Sequence, residues 1–310
     1  MRLPRASLFL AALLASGGVC AQTVALGVNS DRRTNSGEDE LLRINLETGA
    51  AQTAGGDTLD KAGVGALYGD IEALAFSSNN VLFGADDQTK TLLRFDLVTG
   101  VATPAANGLR GNFALPTGLG AEFNFDFGMS FACDGTLYLS SDGKRNLYRV
   151  NLSTGSAERI GPEGAMGAQI SGLAARGDKL YGLGVSGDEG LWSIDTVSAR
   201  ATLIGRLGAG LNMSDGDLAF DGQGRLWGVS DRSDIGSSGE PSQIFRIDPL
   251  TGAATLVSTT AIGVESLAIT PTACALGTQP TMPVPALSPW MLALLALSLL
   301  LSAAGMRRFH

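Results

Sequence analysis

One short pattern recurs five times along the chain, and it limits the possible folds more than any other feature. Four segments match closely: "LLRINLETGAAQTAG" from Leu41, "LLRFDLVTGVATPAA" from Leu92, "LYRVNLSTGSAERIG" from Leu147 and "IFRIDPLTGAATLVS" from Ile244. A fifth, "LWSIDTVSARATLIG" from Leu191, has Ser-Ala in place of Thr-Gly. The polar residue after the second apolar pair marks the period: Asn45, Asp96, Asn151, Asp195 and Asp248, spaced by 51, 55, 44 and 53 residues. Each segment reads as a hairpin. An alternating arm suits a half-buried strand, Thr-Gly supplies a turn because Gly accepts positive φ, and a second arm returns.

A second hairpin precedes four of these. Its representatives are "IEALAFSSNNVLFGADD", "FGMSFACDGTLYLSSD", "ISGLAARGDKLYGLG" and "GDLAFDGQGRLWGVSD". Arg176-Gly177-Asp178 falls on one of these turns, which makes it a hairpin connection and not an adhesion motif. Two orphan half-repeats complete the set. "VESLAITP" from Val264 matches a first strand with no second strand after it, and "VALGVNSD" from Val24 matches a second strand with no first before it. Paired, they form one blade from the two chain ends and remove an exposed sheet edge. Four strands per unit, this period and abundant Gly predict an all-β fold: a β-propeller of five four-stranded blades, closed by N- and C-terminal strands. Six blades with one degenerate, or a long twisted sandwich, are the alternatives.

The ends differ from the body. Arg2 and Arg5, the apolar run "LFLAALLASGGV" and the small residues before Gln22 read as a secretory signal over 1–21. At Cys20 the surrounding residues fit a lipidation signal poorly. A body of about 253 residues, 22–274, then suffices for one large domain. All 30 acidic residues lie in it, with 18 of the 22 basic ones, so it carries a net charge of −12. That charge excludes nucleic acid as a partner. The single histidine is His310, so neither a Ser-His-Asp triad nor a His-containing zinc site can be built in the body. Carboxylate chemistry and oxygen coordination of a hard cation remain. Cys133 and Cys274 are read as two small buried hydrophobes, with a disulfide as the alternative that export permits.

In a propeller, inner-strand starts and second-strand ends share one face, and the hairpin turns share the other. At inner-strand starts stand Asp70, Glu72, Asp126, Asp215, Asp217 and Glu265; at second-strand ends stand Asp31, Asp86, Asp87, Asp142, Asp188 and Asp231. Most of these are ordinary loop acids. Glu72 and Glu265 occupy the same repeat position beside the channel, where a turn role does not explain Glu. Together with Asp126, Asp215 and the displaced Asp217 they are the candidate ligand or cation site, with Ca²⁺ the cation such donors favour. Trp192 and Trp227 read as packing residues. The "D-x-x-TG-x-A" repeats resemble those of secreted bacterial propellers over about 22–271. Some propellers in that neighbourhood are metal-dependent lactonases or esterases. The resemblance is architectural and implies no residue roles.

A Pro-rich linker follows over 275–286, then an apolar segment, 287–310, that ends in Arg307-Arg308-Phe309-His310. Leu287 to Met306 is 20 uncharged residues, enough for a transmembrane helix, with Trp290 at the outer interface and the arginines in the cytoplasm. "VPALSPWM" plus this helix and basic end resembles the IPTL-CTERM sorting signal, a relative of the PEP-CTERM class with consensus Ile-Pro-Thr-Leu-x-x-Trp-Gly. Pro285, Leu287 and Trp290 match; Val284 replaces Ile, Ala286 replaces Thr, and Met291 replaces Gly. The resemblance implies processing by an exosortase, a membrane transpeptidase-like enzyme, and surface or matrix association in a Gram-negative bacterium. The expected function is therefore that of an exported, envelope-associated, non-catalytic binding module with an unknown extracellular ligand. A carboxylate-site metal-dependent hydrolase or lactonase is the alternative.

Overall fold

The repeat hairpins stack in pairs. In a computed structural model, which describes residues 22–29, 40–54, 68–106, 126–208, 210, 211, 213–233 and 239–270, they build five four-stranded antiparallel sheets. Blade 1 takes β1 (Val24–Asn29), β2 (Glu40–Asn45) and β3 (Ala51–Thr53) from the start of the chain, and its inner strand β20 (Ala268–Ile269) from the far end. Blade 2 holds β4 (Ile71–Phe76), β5 (Leu82–Asp86), β6 (Thr91–Phe95) and β7 (Ala102–Pro104). Blade 3 holds β8 (Met129–Phe131), β9 (Leu137–Ser141), β10 (Asn146–Val150) and β11 (Ala157–Ile160). Blade 4 holds β12 (Ile170–Arg176), β13 (Lys179–Gly184), β14 (Gly190–Ile194) and β15 (Ala201–Gly205). Blade 5 holds β16 (Gly216–Phe220), β17 (Leu226–Ser230), β18 (Pro241–Ile247) and β19 (Ala254–Ile262). The ring closes as the orphan half-repeats require: Ala25 pairs with Ile269, Leu26 with Ala268, and Asn29 bridges Val264.

The period-marking residue has a local physical role. The side-chain oxygens of Asn45, Asp96, Asn151 and Asp195 each accept the N–H groups two and three residues on. Asp248 accepts from Leu250 N–H and Thr251 Oγ1. Each cap therefore fixes the turn between third and fourth strands. The turn ends in a left-handed residue: Gly49, Gly100, Gly155 and Gly252 at φ 72–76°, and Ala199 at 62° in the divergent repeat.

Five apolar clusters fill the five gaps between adjacent blades. Leu26, Ile71 and Leu93 join blades 1 and 2; Leu92, Met129 and Tyr148 join blades 2 and 3. Tyr138, Ile170 and Leu180 join blades 3 and 4, and Leu183, Leu218 and Phe245 join 4 and 5. Ile44, Trp227, Val264 and Ile269 join 5 back to 1. Trp227 is buried, donates Nε1–H to Asp221 at 2.9 Å, and has the guanidiniums of Arg225 and Arg246 at 5.4 and 5.6 Å from its ring. Trp192 is half-buried and donates to the Asp188 carbonyl. Both are packing residues, as expected.

Around the axis the inner strands approach backbone to backbone. A Cβ on Gly128 would lie 2.1 Å from the Ser171 carbonyl oxygen, and one on Gly172 would lie 2.6 Å from Asp217 Cα. Arg176-Gly177-Asp178 forms the β12–β13 turn, with Gly177 at φ 62° and Arg176 bonded to the Gly224 carbonyl. The two ends of the described propeller lie on this turn face. Thr23 contacts Arg225 of the β16–β17 turn, and Thr270 Oγ1 donates to Asn80 of the β4–β5 turn.

One expectation is corrected. Cys133 is exposed on the β8–β9 turn and disulfide-bonded, so it is not a small buried hydrophobe. Cys20 and Cys274 lie outside the described residues, as do Asp31 and the signal and tail segments 1–21 and 271–310. Among the described residues there is no helix, and none long and apolar enough to cross a membrane; the predicted tail helix is not among them.

Candidate functional site at the acidic end of the channel

Side chains on or next to the inner strands line the channel, among them Leu74, Met129, Leu173, Leu218 and, just before β20, Leu267. All five are buried. The residues just before them on each strand form the acidic end.

How far the carboxylates reach depends on register. In blade 2 the pairing shifts by one residue between Ile71 and Ala73, so Glu72 is an extra, bulged residue. In blade 4 the same shift falls between Ile170 and Gly172 and makes Ser171 the bulge. Blade 1 repeats it: the register slips by one between the Asn29–Val264 bridge and the Leu26–Ala268 pair, with Glu265 at the equivalent position. Blades 3 and 5 pair without a slip, and there Asp126 and Asp215 occupy the position before the strand, each accepting an N–H from the second-strand end (Asp142, Asp231). Bulges re-aim side chains beside functional sites. Here the inner strands of blades 1, 2 and 4 are bulged and those of blades 3 and 5 are regular, around one axis.

Glu72, Asp215 and Glu265 converge from blades 2, 5 and 1. All three are buried, and each offers a carboxylate oxygen within 4.8 Å of the other two. Burial is the main force raising the Glu72 carboxyl well above the usual carboxylate range, reinforced by the charges of Asp126, Asp70 and Asp215. Asp215 is raised well above its usual value for the same first reason, with Asp126 next; the Gly216 N–H and Ser171 hydroxyl oppose the shift. Asp126, half-buried, is thus an electrostatic member of the group.

Asp217 has a different role from the other predicted ligands. Its Oδ1 accepts the N–H groups of Leu173 (3.2 Å) and Leu218 (2.8 Å), and its Oδ2 accepts that of Leu267 (2.9 Å). One carboxylate thereby ties together blades 4, 5 and 1 at the axis. Burial raises its carboxyl, against the pull of these three donors.

The second-strand acids behave as loop acids. Asp86, Asp142 and Asp188 each accept the N–H that precedes the inner strand of the same blade, from Asp70, Asp126 and Gln169. Asp231 caps Ser233, and Asp87 pairs with the buried Lys90, whose ammonium lies 5.3 Å from the Phe127 ring. Burial raises Asp86 from 3.8 to about 6, against bonds from Thr89 and Asp70. Its folded-state pKa therefore lies above that of the unfolded chain, and the proton favours the fold. That contribution is full below about pH 4 and is lost as pH rises through about 6. Urea titrations at pH 4 and pH 7 should show a smaller loss of stability for Asp86→Asn than for the wild type. Equal losses would sink this assignment.

Sequence reasoning placed Asp70 on this face but left it out of the candidate set, and it missed Ser171 as a member of this group. Ser171 Oγ donates to the Gly216 carbonyl at 2.7 Å and contacts Asp215. The signal was available: "IEAL", "ISGL" and "VESL" place Glu72, Ser171 and Glu265 at one repeat position.

No protein-family model matches the chain, and no curated protein matches it. Solved structures similar to it are distant. A structural-genomics protein of unknown function from Bacteroides thetaiotaomicron shares 18% identity over 62% of this chain, with a TM-score of 0.43; the chain spans about half (51%) of its length. A streptogramin B lyase shares 12% identity over 80% of this chain and 87% of its own, with a TM-score of 0.44. A gluconolactonase from Xanthomonas campestris shares 13% over 79% of each, with a TM-score of 0.45. Likeness at this level transfers no activity.

Proposed function

We propose that this protein is an exported, envelope- or surface-associated β-propeller that acts as a non-catalytic binding module, with the acidic end of its channel as the binding surface. The observation that carries the reading is the convergence of Glu72, Asp215 and Glu265, from three separate blades, at the face opposite both propeller ends. Thr270, the last described residue, lies on the turn face. The acidic end lies on the opposite face, where this reading puts the contact with a ligand outside the cell. The signal-like residues 1–21 and the IPTL-CTERM-like residues 284–291 support export and processing by an exosortase-type enzyme, with the inner membrane holding the tail before processing. The lack of any histidine in 22–274 favours binding over catalysis.

The competing hydrolase reading makes a distinct claim. Purified protein supplied with Ca²⁺ is expected to turn over none of a panel of γ-lactones, δ-lactones and p-nitrophenyl esters above a protein-free control. Turnover that disappears in Glu72→Gln would replace the binding module with a metal-dependent hydrolase.

A further inference from the structure

We propose that Glu72, Asp215 and Glu265 together bind one hard divalent cation, Ca²⁺; this rests on the reading of the acidic channel end as the binding surface. Loop acids are common without ions, so clustering alone would carry little. The separate observation is Glu72 Oε2. Glu72 is only 7% exposed; its side chain is hydrogen-bonded to Asp70, but Oε2 is shielded from solvent and has no hydrogen-bond partner. Buried carboxylate oxygens are costly to leave unsatisfied, and a bulge at this residue has placed the Glu72 carboxylate in the group.

The donor set selects the ion. It is all oxygen and all carboxylate, which suits Ca²⁺ or Mg²⁺ and not a soft metal. Two oxygens each about 2.4 Å from a Ca²⁺ ion stand at most about 4.8 Å apart, and the three offered oxygens fall within that span. Three carboxylates from three separate blades form no preset octahedron, and Ca²⁺ tolerates irregular geometry where Mg²⁺ demands near-ideal angles. Asp126, beside Glu72 and Asp215, adds negative charge to the same end. The site thus places one cation between blades 1, 2 and 5, including the blade assembled from the two chain ends.

The test uses the purified full chain, stripped with EDTA and titrated with CaCl₂ or MgCl₂ by calorimetry and thermal melting. Wild type is expected to show one saturable Ca²⁺ site, a melting temperature that rises with Ca²⁺, and weaker binding of Mg²⁺. Asp215→Asn and Glu265→Gln should each weaken Ca²⁺ binding at least about tenfold. Glu72→Gln, nearly isosteric, should melt above metal-free wild type because one repelling charge is gone, yet fail to respond to Ca²⁺. That paired result separates a lost site from a misfolded variant. No saturable Ca²⁺ response in wild type, a response unchanged in all three variants, or Mg²⁺ binding tighter than Ca²⁺ would each overturn the proposal. A failed titration with the lactone panel still silent would leave the binding-module reading standing, whereas turnover with Ca²⁺ bound would overturn that reading alone.

Discussion

Asp217→Ala is expected to destabilise the protein by about 3–9 kcal/mol, because each buried N–H left without an acceptor costs about 1–3 kcal/mol. The substitution strands three at once, on Leu173, Leu218 and Leu267, and these belong to three different blades. Asp217 is 1% exposed, and Gly172 packs against its Cα. A loss of this size rivals the whole stability of an ordinary domain, about 5–15 kcal/mol. Asp217→Asn should fall between. Its amide oxygen can keep the two bonds at Oδ1, while its NH₂ abuts the Leu267 N–H. Urea unfolding of the three proteins checks the order, wild type above Asn above Ala. A loss below about 1 kcal/mol for Ala would show that the three N–H groups find other partners.

Ending the chain after Gly263 should have a still larger effect. The inner strand of blade 1 disappears, and with it the pairing of Ala25 and Leu26. Val264, Leu267 and Ile269 leave the core between blades 5 and 1, and Ala268 leaves the core between 1 and 2. Burying each of the three large side chains contributes about 1.5–3 kcal/mol. The Val28 N–H also loses its acceptor, the Ser266 hydroxyl, at 2.8 Å. The truncated protein is therefore expected to show no cooperative melting transition and to be cut readily by proteases in blades 1 and 5. A synthetic peptide covering 264–274 should restore the transition by adding the missing strand. A truncated chain that melts cooperatively within a few degrees of the full one would mean that the ring does not depend on this closure.

The architecture was legible because it is said five times. Repetition let Asn45 and its equivalents stand out before their capping role was visible. The two half-repeats at Val24 and Val264 had no plausible partner except each other. The site was legible only in part. Glu72 and Glu265 were visible as repeat-equivalent acids, and Asp215 as an acid near an inner strand. What bound them into one group was a one-residue register slip, which pairing geometry reveals and composition does not. Asp217 looked like another ligand because it is acidic and close to the axis. Only its three N–H donors distinguish a clasp from a coordinating group. Cys133 was misread because a cysteine in an apolar stretch ("SFACDG") resembles a core residue, whereas the β8–β9 turn carries it to the surface.

The coexistence of bulged and regular inner strands in one ring has a bearing on how such a molecule can change. A β-strand normally tolerates no single-residue deletion, since every side chain beyond it would flip to the opposite face. At Glu72 and Ser171 the extra residue is already outside the ladder. Removing either one would leave the pairing that blades 3 and 5 already use, with Leu74 or Leu173 still facing the channel. Inserting a residue before Met129 or Leu218 would do the reverse. The ring can thus gain or lose one functional group at its axis by a single-codon indel, blade by blade, while the interblade cores stay in register.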